Sequence, residues 1–211
     1  MAIAFTTFSH AQFTPGFGIK AGLSSAGMRG DAIDNFKGLL DFADGRITTA
    51  DRTGFFAGIF TSLPLDKMIS IEPGVYYSQK GYVVKGALSF KGTEFLNATS
   101  KLQSGYLDIP LLVKADIDGF QIFVGPQFSY LMKAEVKSTA GLLGFNLLNN
   151  TMNVTDQFNR WDMAITGGVG YKFSNGINIS AAYDHGLSKV DANKNINSYN
   201  RSFKIGLGIN F

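Results

Sequence analysis

The chain has 211 residues, of which 45% are hydrophobic and 17% are charged, and its formal net charge is +3. This length suits a single all-β domain of roughly eight to ten strands and argues against two domains. The Lys and Arg residues are scattered and form no basic stripe, so we predict no nucleic-acid partner. Because the chain contains no cysteine, it lacks disulfides, thiol catalysis and most zinc sites, and we expect no metal or other cofactor.

The N-terminal segment is similar to the apolar end of a secretory signal peptide. Residues 1–12 are mostly apolar, and the small residues Ser9 and Ala11 stand where a signal peptidase reads its substrate. We therefore predict that residues 1–11 are a signal-peptide remnant cleaved after Ala11, and that residues 12–211 form one domain. Nowhere does the sequence approach about 18 consecutive apolar residues, which excludes a transmembrane helix.

Alternation of apolar and polar residues with a period of two predicts eight strands. They span approximately residues 17–24, 53–64, 68–79, 105–115, 120–132, 161–174, 177–186 and 201–211. Most approach the roughly 9 to 11 residues with which a tilted strand crosses a bilayer. The connections alternate between long segments (25–52, 80–104, 133–160 and 187–200) and short ones (65–67, 116–119 and 174–176). This alternation is typical of long extracellular loops and short periplasmic turns in a membrane barrel.

Each predicted strand has one face without charge, and the last strand ends at an outward-facing aromatic residue, Phe211. The opposite face carries many glycines and the following polar residues: Lys20, Glu72, Asp108, Lys114, Gln121, Gln127, Asp162, Lys172, Asp184 and Lys204. Four lysines against four carboxylates indicate a salt-bridged lumen rather than a ring of one sign. The interior of an eight-stranded barrel is about filled by its own side chains, so we predict no open channel.

The alternative fold is a soluble eight-stranded barrel of lipocalin type, which has the same alternation with the faces reversed. Aromatic residues at the strand ends favour the membrane barrel, since they predict two interfacial girdles. One girdle would contain Tyr77, Tyr106, Phe128, Tyr130, Trp161 and Tyr183, and the other Phe17, Phe120, Tyr171, Phe173 and Phe211. We therefore predict an all-β fold, an eight-stranded antiparallel transmembrane β-barrel arranged as an up-and-down meander.

Five segments in strand order carry a resemblance to a known family. They are GIKAGL at 18–23, IEPGVYYSQKG at 71–81, YLDIPLLVK at 106–114, VGPQFSYL at 124–131 and GVGYKF at 168–173. Together they resemble the PorT-type outer-membrane β-barrel domain family over residues 17–211. The resemblance implies a multi-pass β-barrel in the outer membrane of a Gram-negative cell. The family is named after a member linked to protein secretion and offers no catalytic motif, so fold alone assigns no activity.

The residues that could take part in catalysis or gating have simpler structural explanations. Pro73, Pro110 and Pro126 lie inside predicted strands, where a missing N–H predicts bulges or local irregularities. His185 with Asp184 and Ser188 is similar to the edge sites of lipid-modifying outer-membrane enzymes. Adjacent strand residues, however, point to opposite faces, which is poor geometry for a nucleophile and its base. The lumen carboxylates are candidate acid–base groups, but facing lysines account for them better. We predict no enzymatic activity and no catalytic, cofactor or metal site.

The long loops contain the remaining apolar segments. Residues 34–42 are expected to form a short amphipathic turn, and residues 140–148 are apolar for a cell-surface loop. Exposed apolar patches usually mark contact sites; the alternative is that each folds over the barrel mouth. Residues 83–90 are expected to extend strand pairing above the membrane.

Two classes of function remain open from the sequence. The first is a non-enzymatic structural or interaction component of the cell envelope, for example an accessory subunit of a secretion or envelope assembly. It would contact outer-membrane lipid and lipopolysaccharide, and an envelope protein through loops 25–52 and 133–160. The second is a narrow, porin-like small-solute channel. A lipid-modifying enzyme is a distant third.

Overall fold

The part of the chain that the structure describes forms one antiparallel sheet of nine strands that closes on itself. The computed structural model describes residues 15–30, 46–90, 93–142, 145–191 and 197–211. The strands are β1 (Gly16–Gly30), β2 (Arg46–Pro64), β3 (Ile69–Phe90), β4 (Thr93–Ile117), β5 (Phe120–Leu142), β6 (Phe145–Asn153), β7 (Trp161–Lys172), β8 (Ile177–Gly186) and β9 (Ser198–Asn210). One 3-10 turn, Thr155–Gln157, separates β6 from β7. No helix among these residues has the length and apolarity needed to cross a membrane.

Eight strand positions form the ring, in the order β1–β2–β3–β4–β5–β7–β8–β9, and β9 returns to pair with β1. Strand β6 lies on the same edge of β5 as β7, because β4 occupies the other edge along its whole length. Residues 120–130 of β5 pair with β7, and residues 135–142 pair with β6. Strands β6 and β7 are therefore two parts of one interrupted position in the ring.

The eight predicted strands are confirmed, but five of them are much longer than predicted. Strands β1 and β2 have 15 and 19 residues, so residues 25–30 and 46–52 of the predicted loop 25–52 are strand. Strands β3, β4 and β5 have 22, 25 and 23 residues. Segments 80–104 and 133–160, which the sequence analysis assigned to loops, are therefore mostly strand, and the extension of pairing through 83–90 is confirmed. Side chains here alternate less clearly between apolar and polar, which is why the period-two signal fades. The signal-peptide prediction at 1–11 and the amphipathic turn at 34–42 lie outside the described residues.

The barrel has a turn end and a hairpin end. At the turn end lie the short connections around residues 65–68, 118–119 and 173–176; at the hairpin end lie the β3–β4 and β5–β6 hairpins. Asp118 and Gly119 both have positive φ, 53° and 88°, and join the paired residues Ile117 and Phe120. Positive φ at both central residues defines the type I′ turn, whose twist matches that of a β-hairpin. The Asp-Gly pair thus sets the β4–β5 register.

Beyond the barrel wall, five strand segments continue as an extension of the sheet that we call the distal sheet. It consists of residues 46–51 of β2, 82–90 of β3, 93–102 of β4, 134–142 of β5 and all of β6. Within the described part of the chain, β6 pairs only with β5, so it is an edge strand. An edge strand presents unpaired backbone N–H and C=O groups.

The three strand prolines interrupt pairing but do not shift register. Pairing resumes in the same register on both sides of Pro73, Pro110 and Pro126. The register shifts lie elsewhere, at Asp51/Phe56, Leu88/Ser89, Gly105/Tyr106 and Ala140/Gly141. The local irregularities expected at the prolines are present as gaps in the ladder, and the expectation of bulges there is wrong. A proline only deletes one donor, whereas a bulge requires an extra residue.

Candidate functional site

Near the turn end, the lumen contains a three-residue ion cluster centred on Glu72. The Lys20 ammonium lies 3.4 Å from Glu72 Oε1, and Lys114 donates a short hydrogen bond to Glu72 Oε2. The Phe60 ring lies 4.9 Å below the Lys20 nitrogen and completes the lysine's environment through its negative π face. Since all three charged side chains are buried, each ammonium depends on the single carboxylate between them.

Nearer the hairpin end, Asp108 organises a second and larger ion cluster. Its carboxylate lies 3.0 Å from Lys80 and 3.2 Å from Lys204. Ser78 and Ser129 each donate a 2.6 Å hydrogen bond to one of its two oxygens. Asp108 has no exposed surface, and four donors saturate the acceptor positions that a buried carboxylate needs.

Two further carboxylates extend this second cluster. Asp184 lies 2.7 Å from the Lys204 nitrogen and accepts a 2.8 Å hydrogen bond from Thr166. Asp162 accepts a 2.7 Å hydrogen bond from the Asn200 amide, which also reaches the Tyr106 hydroxyl at 3.4 Å. The second cluster thus connects β4, β5, β7, β8 and β9 through side chains inside the ring.

The charge balance of the lumen agrees with the prediction, but one lysine differs. Among the residues with described side chains, four lysines and four carboxylates are buried: Lys20, Lys80, Lys114 and Lys204 with Glu72, Asp108, Asp162 and Asp184. The assignment of Lys172 to the lumen is wrong, because it lies exposed where β7 ends. Lys80 occupies the lumen instead. The sequence contained a signal for it, because residues 72, 74, 76, 78 and 80 are two apart and therefore lie on the same face of β3.

In the described part of the barrel, five aromatic rings fill the lumen between the charges, and the sequence analysis did not predict them. They are Phe56, Phe60, Tyr76, Tyr106 and Phe123, all buried. Glycines on other strands provide the space: a side chain at Gly206 would meet the Phe56 ring, and one at Gly168 would meet Phe123. The glycine-rich inner face therefore exists because large rings lie against it, and a narrow barrel has no room for both.

A cavity of about 50 Å³ lies in the lumen, lined by residues of both ion clusters. Lys20, Lys204, Gln127, Phe56 and Tyr76 contribute to its wall. This volume suits a few water molecules, which bind buried polar groups. In the described residues, no grouping of three or more His, Asp or Glu side chains is suited to a metal ion.

At the hairpin end an apolar cluster lies across the barrel mouth. Its buried residues are Leu102, Tyr106, Leu131, Ala134 and Val154, and Met28, Tyr82, Val136 and Phe158 pack against them. The predicted place of Tyr106 in the outer girdle is wrong, because its ring is 2% exposed and points inward. Tyr82 lies beyond the barrel wall, where burial raises the pKa of its hydroxyl.

The other predicted girdle residues do face outward. Tyr77, Phe128, Tyr130, Trp161 and Tyr183 lie toward the hairpin end, and Phe17, Phe120, Tyr171, Phe173 and Phe211 toward the turn end. Between them the surface consists of exposed aliphatic side chains such as Ile59, Val124 and Leu207. The apolar face is thus on the outside, opposite to a lipocalin. We call this surface the apolar belt.

His185 and its neighbours do not form a nucleophilic site. Asp184 points into the lumen, whereas His185 is exposed and its Nε2 lies 2.9 Å from the Arg29 guanidinium. The Ser188 hydroxyl accepts a 2.9 Å hydrogen bond from the Met163 amide. The predicted separation of Asp184 and His185 onto opposite faces is confirmed.

A closed ring of strands with an apolar exterior is the architecture of a membrane β-barrel, and the sequence matches a family of such proteins. Residues 10–192 match the family described as outer membrane protein beta-barrel domain. The chain belongs to this family. The match covers most of the barrel and identifies it as an outer-membrane β-barrel. It does not distinguish the PorT-type members from the rest of the family.

Several solved structures are similar to this outer-membrane barrel. Ail, the attachment invasion locus protein of Yersinia pestis, is 12% identical, with 94% of this chain and 100% of Ail covered and a TM-score of 0.48. Neisserial surface protein A is 14% identical, with 92% and 97% covered and a TM-score of 0.43. OprG of Pseudomonas aeruginosa is 12% identical, with 93% and 95% covered and a TM-score of 0.40. No curated protein shows significant sequence similarity to the chain.

Proposed function

We propose that this protein is a non-enzymatic component of a Gram-negative cell envelope that binds a partner protein through its distal sheet. In this proposal the turn end faces the periplasm and the hairpin end faces the outside. The partner would belong to a secretion or envelope assembly, as the resemblance to PorT-type barrels suggests, and this protein would be an accessory subunit of it.

One observation carries the proposal: the lumen is filled by paired charges and rings, while the strands continue well beyond the apolar belt. Asp108 and Glu72 each hold two lysines across the interior, which leaves little room for solute. The distal sheet, by contrast, ends at β6, which is an edge strand among the described strands. An extended segment of another protein adds readily to such an edge through backbone hydrogen bonds.

Side chains on β6 suit this mode of binding. Asn149, Asn150, Thr151, Met152 and Asn153 are all exposed. Polar side chains keep an open edge soluble, and Met152, 58% exposed, offers a flexible apolar contact that adapts to a partner surface.

The test is site-specific photocrosslinking in intact envelopes. A photoreactive residue at Met152 is expected to give a stoichiometric adduct with one envelope protein, identified by mass spectrometry. The matched control is the same residue at Met68, which is 49% exposed but lies at the turn end. A lack of adduct at Met152, or the same adduct at Met68, would argue against the distal sheet as the contact surface.

A second prediction concerns the filled lumen. Reconstituted wild-type protein is expected to give no steady conductance in a planar bilayer. Replacement of Phe56 and Tyr76 by alanine is expected to produce current, because these rings contact each other with centroids 6.2 Å apart and line the cavity. Steady, ion-selective current through the wild-type protein would instead favour the small-solute channel.

A further inference from the structure

The outer surface of the barrel has a groove where the apolar belt ends, and its residues combine positive charge with an apolar floor. Arg52, Tyr77, Gln79, Gln103, Gly105 and Lys133 line it, and its volume is about 360 Å³. We propose that this groove binds the phosphate groups of lipopolysaccharide, the phosphorylated glycolipid of the outer leaflet. The proposal requires the hairpin end to face outward, but it does not require the partner protein proposed above.

The depth of the groove matches the headgroup layer. On the outer face of β3, the sequence changes from Val75 and Tyr77, which belong to the belt, to Gln79. On β4 the change runs from Leu107 to Gln103 across Gly105, and Tyr77 is paired with Leu107. The floor is therefore apolar at the hydrocarbon boundary, while the amides of the two glutamines begin the polar zone.

The groove exists because one residue in its wall is a glycine and because the register of the β4–β5 pairing shifts beside it. Gly105 opposes Gln79 on β3 and Lys133 on β5. The register shift between Gly105 and Tyr106 adds a local bend to the wall. A Cβ at Gly105 would come within 3.0 Å of the Tyr77 hydroxyl, so the missing side chain leaves the Tyr77 ring as the floor.

Positive charge continues from the groove onto the distal sheet. Lys101 and Lys137 are exposed and directly opposite each other across β4 and β5. Like charges in this arrangement destabilise a sheet. Among the described residues, no carboxylate forms an ion pair with either lysine. An anion between the two ammonium groups would relieve their repulsion.

The local balance of charge selects an anionic ligand. Arg52, Lys101, Lys133 and Lys137 contribute four positive charges, and Glu135, 2.8 Å from Lys133, contributes one negative charge, which leaves a net charge of +3 by subtraction. Successive outward residues on a strand are about 6.6 Å apart, so Lys101 and Gln103 are neighbours along β4. Several cations on three nearby strands suit a headgroup with more than one phosphate.

Arg52 is held in place for this role. Its guanidinium donates to the Lys80 carbonyl at 3.4 Å and to the Gln79 side-chain oxygen at 3.5 Å. These contacts use part of the donor fork and leave the remaining N–H groups for a ligand. The acyl chains of the same lipid would lie along the apolar belt below Tyr77, so one molecule would satisfy both parts of the groove.

The test compares binding of fluorescent lipopolysaccharide to the full-length protein in a neutral detergent. Wild-type protein is expected to bind phosphorylated lipopolysaccharide more tightly than the chemically dephosphorylated form, and salt should weaken the difference. The double variant K101Q/K137Q is expected to bind about 5- to 30-fold more weakly, since it loses two exposed charge contacts. The matched control is K67Q/K172Q, which removes two exposed lysines at the turn end and is expected to bind like the wild type.

Thermal unfolding without lipid provides a second readout. Because the K101Q/K137Q variant loses a like-charge contact, its midpoint should equal or exceed that of the wild type. Equal affinity of the two double variants, or equal binding of dephosphorylated lipopolysaccharide, would overturn the proposal. Displacement of the lipid by inorganic phosphate at micromolar concentration would assign the groove to a free anion, and would overturn it as well.

Discussion

Replacement of Asp108 by alanine is expected to destabilise the folded barrel by about 3 to 5 kcal/mol. Asp108 is completely buried and is the carboxylate that holds both Lys80 and Lys204. Its loss removes the carboxylate 3.0 Å from the Lys80 ammonium, which stays buried beside the Ser129 hydroxyl, and a buried charge without its partner costs much more than an ordinary surface substitution. Urea unfolding in detergent micelles, followed by tryptophan fluorescence, measures the free energy of unfolding.

Two comparisons separate charge from packing. Asp108→Asn keeps the size of the side chain and one acceptor oxygen but places an NH2 donor where the other oxygen was, so its destabilisation reports the lost negative charge together with one lost acceptor, without a cavity. Asp156→Ala removes an exposed carboxylate that forms a 2.7 Å surface ion pair with Arg160, and it should cost less than about 1 kcal/mol. Equal effects at Asp108 and Asp156 would contradict the role of the lumen cluster.

Replacement of Leu207 by arginine is expected to destabilise the barrel in lipid bilayers by about 2 to 4 kcal/mol. Leu207 is 61% exposed on the outer surface, and its neighbours Ala21 and Ile179 place it in the middle of the apolar belt. A cation there must leave water for hydrocarbon. Urea titration of the protein folded in vesicles gives the free energy of unfolding.

The control for depth is Ile117→Arg. Ile117 is 53% exposed and lies at the end of β4, beside the Asp118–Gly119 turn. Near an interface the same substitution costs about 0 to 1 kcal/mol. If the two substitutions cost the same, the belt would not be a membrane-spanning surface.

The barrel wall was predictable because membrane and lumen impose opposite demands on alternate residues. In β9, Phe203, Ile205 and Leu207 are exposed, while Ser202 and Lys204 are buried. That contrast is large enough to read from sequence alone. The distal sheet lacks it: Lys101, Lys137 and Thr151 face the same side and none requires burial. Pairing there depends on neighbouring strands, which a single segment does not reveal.

The lumen was predictable in charge but not in detail. The period-two alternation placed Glu72, Asp108 and Lys204 correctly in the lumen, since each shares a strand face with small residues. The same reasoning failed for Lys172. Alternation still assigns this residue to the inner face, but it lies at the end of β7, where that face is open to solvent. The inward rings were missed because a ring and the glycine beneath it, such as Phe56 and Gly206, lie on strands far apart in sequence. Such complementarity requires the register between strands.

The junction of β1 with β9 has a consequence for how the barrel folds. Gly18 is paired with Asn210, which is 210 − 18 = 192 residues away along the chain. The other strand pairs of the ring join strands that follow each other in the chain, except β5 and β7, which are separated by β6, and all of them close much shorter loops. Closing this last seam carries the largest loop entropy and adds no stability until both ends have arrived. The seam is therefore expected to form last, as the slow step, so a partly delivered chain would expose two unpaired edges until synthesis and export of the final strand are complete.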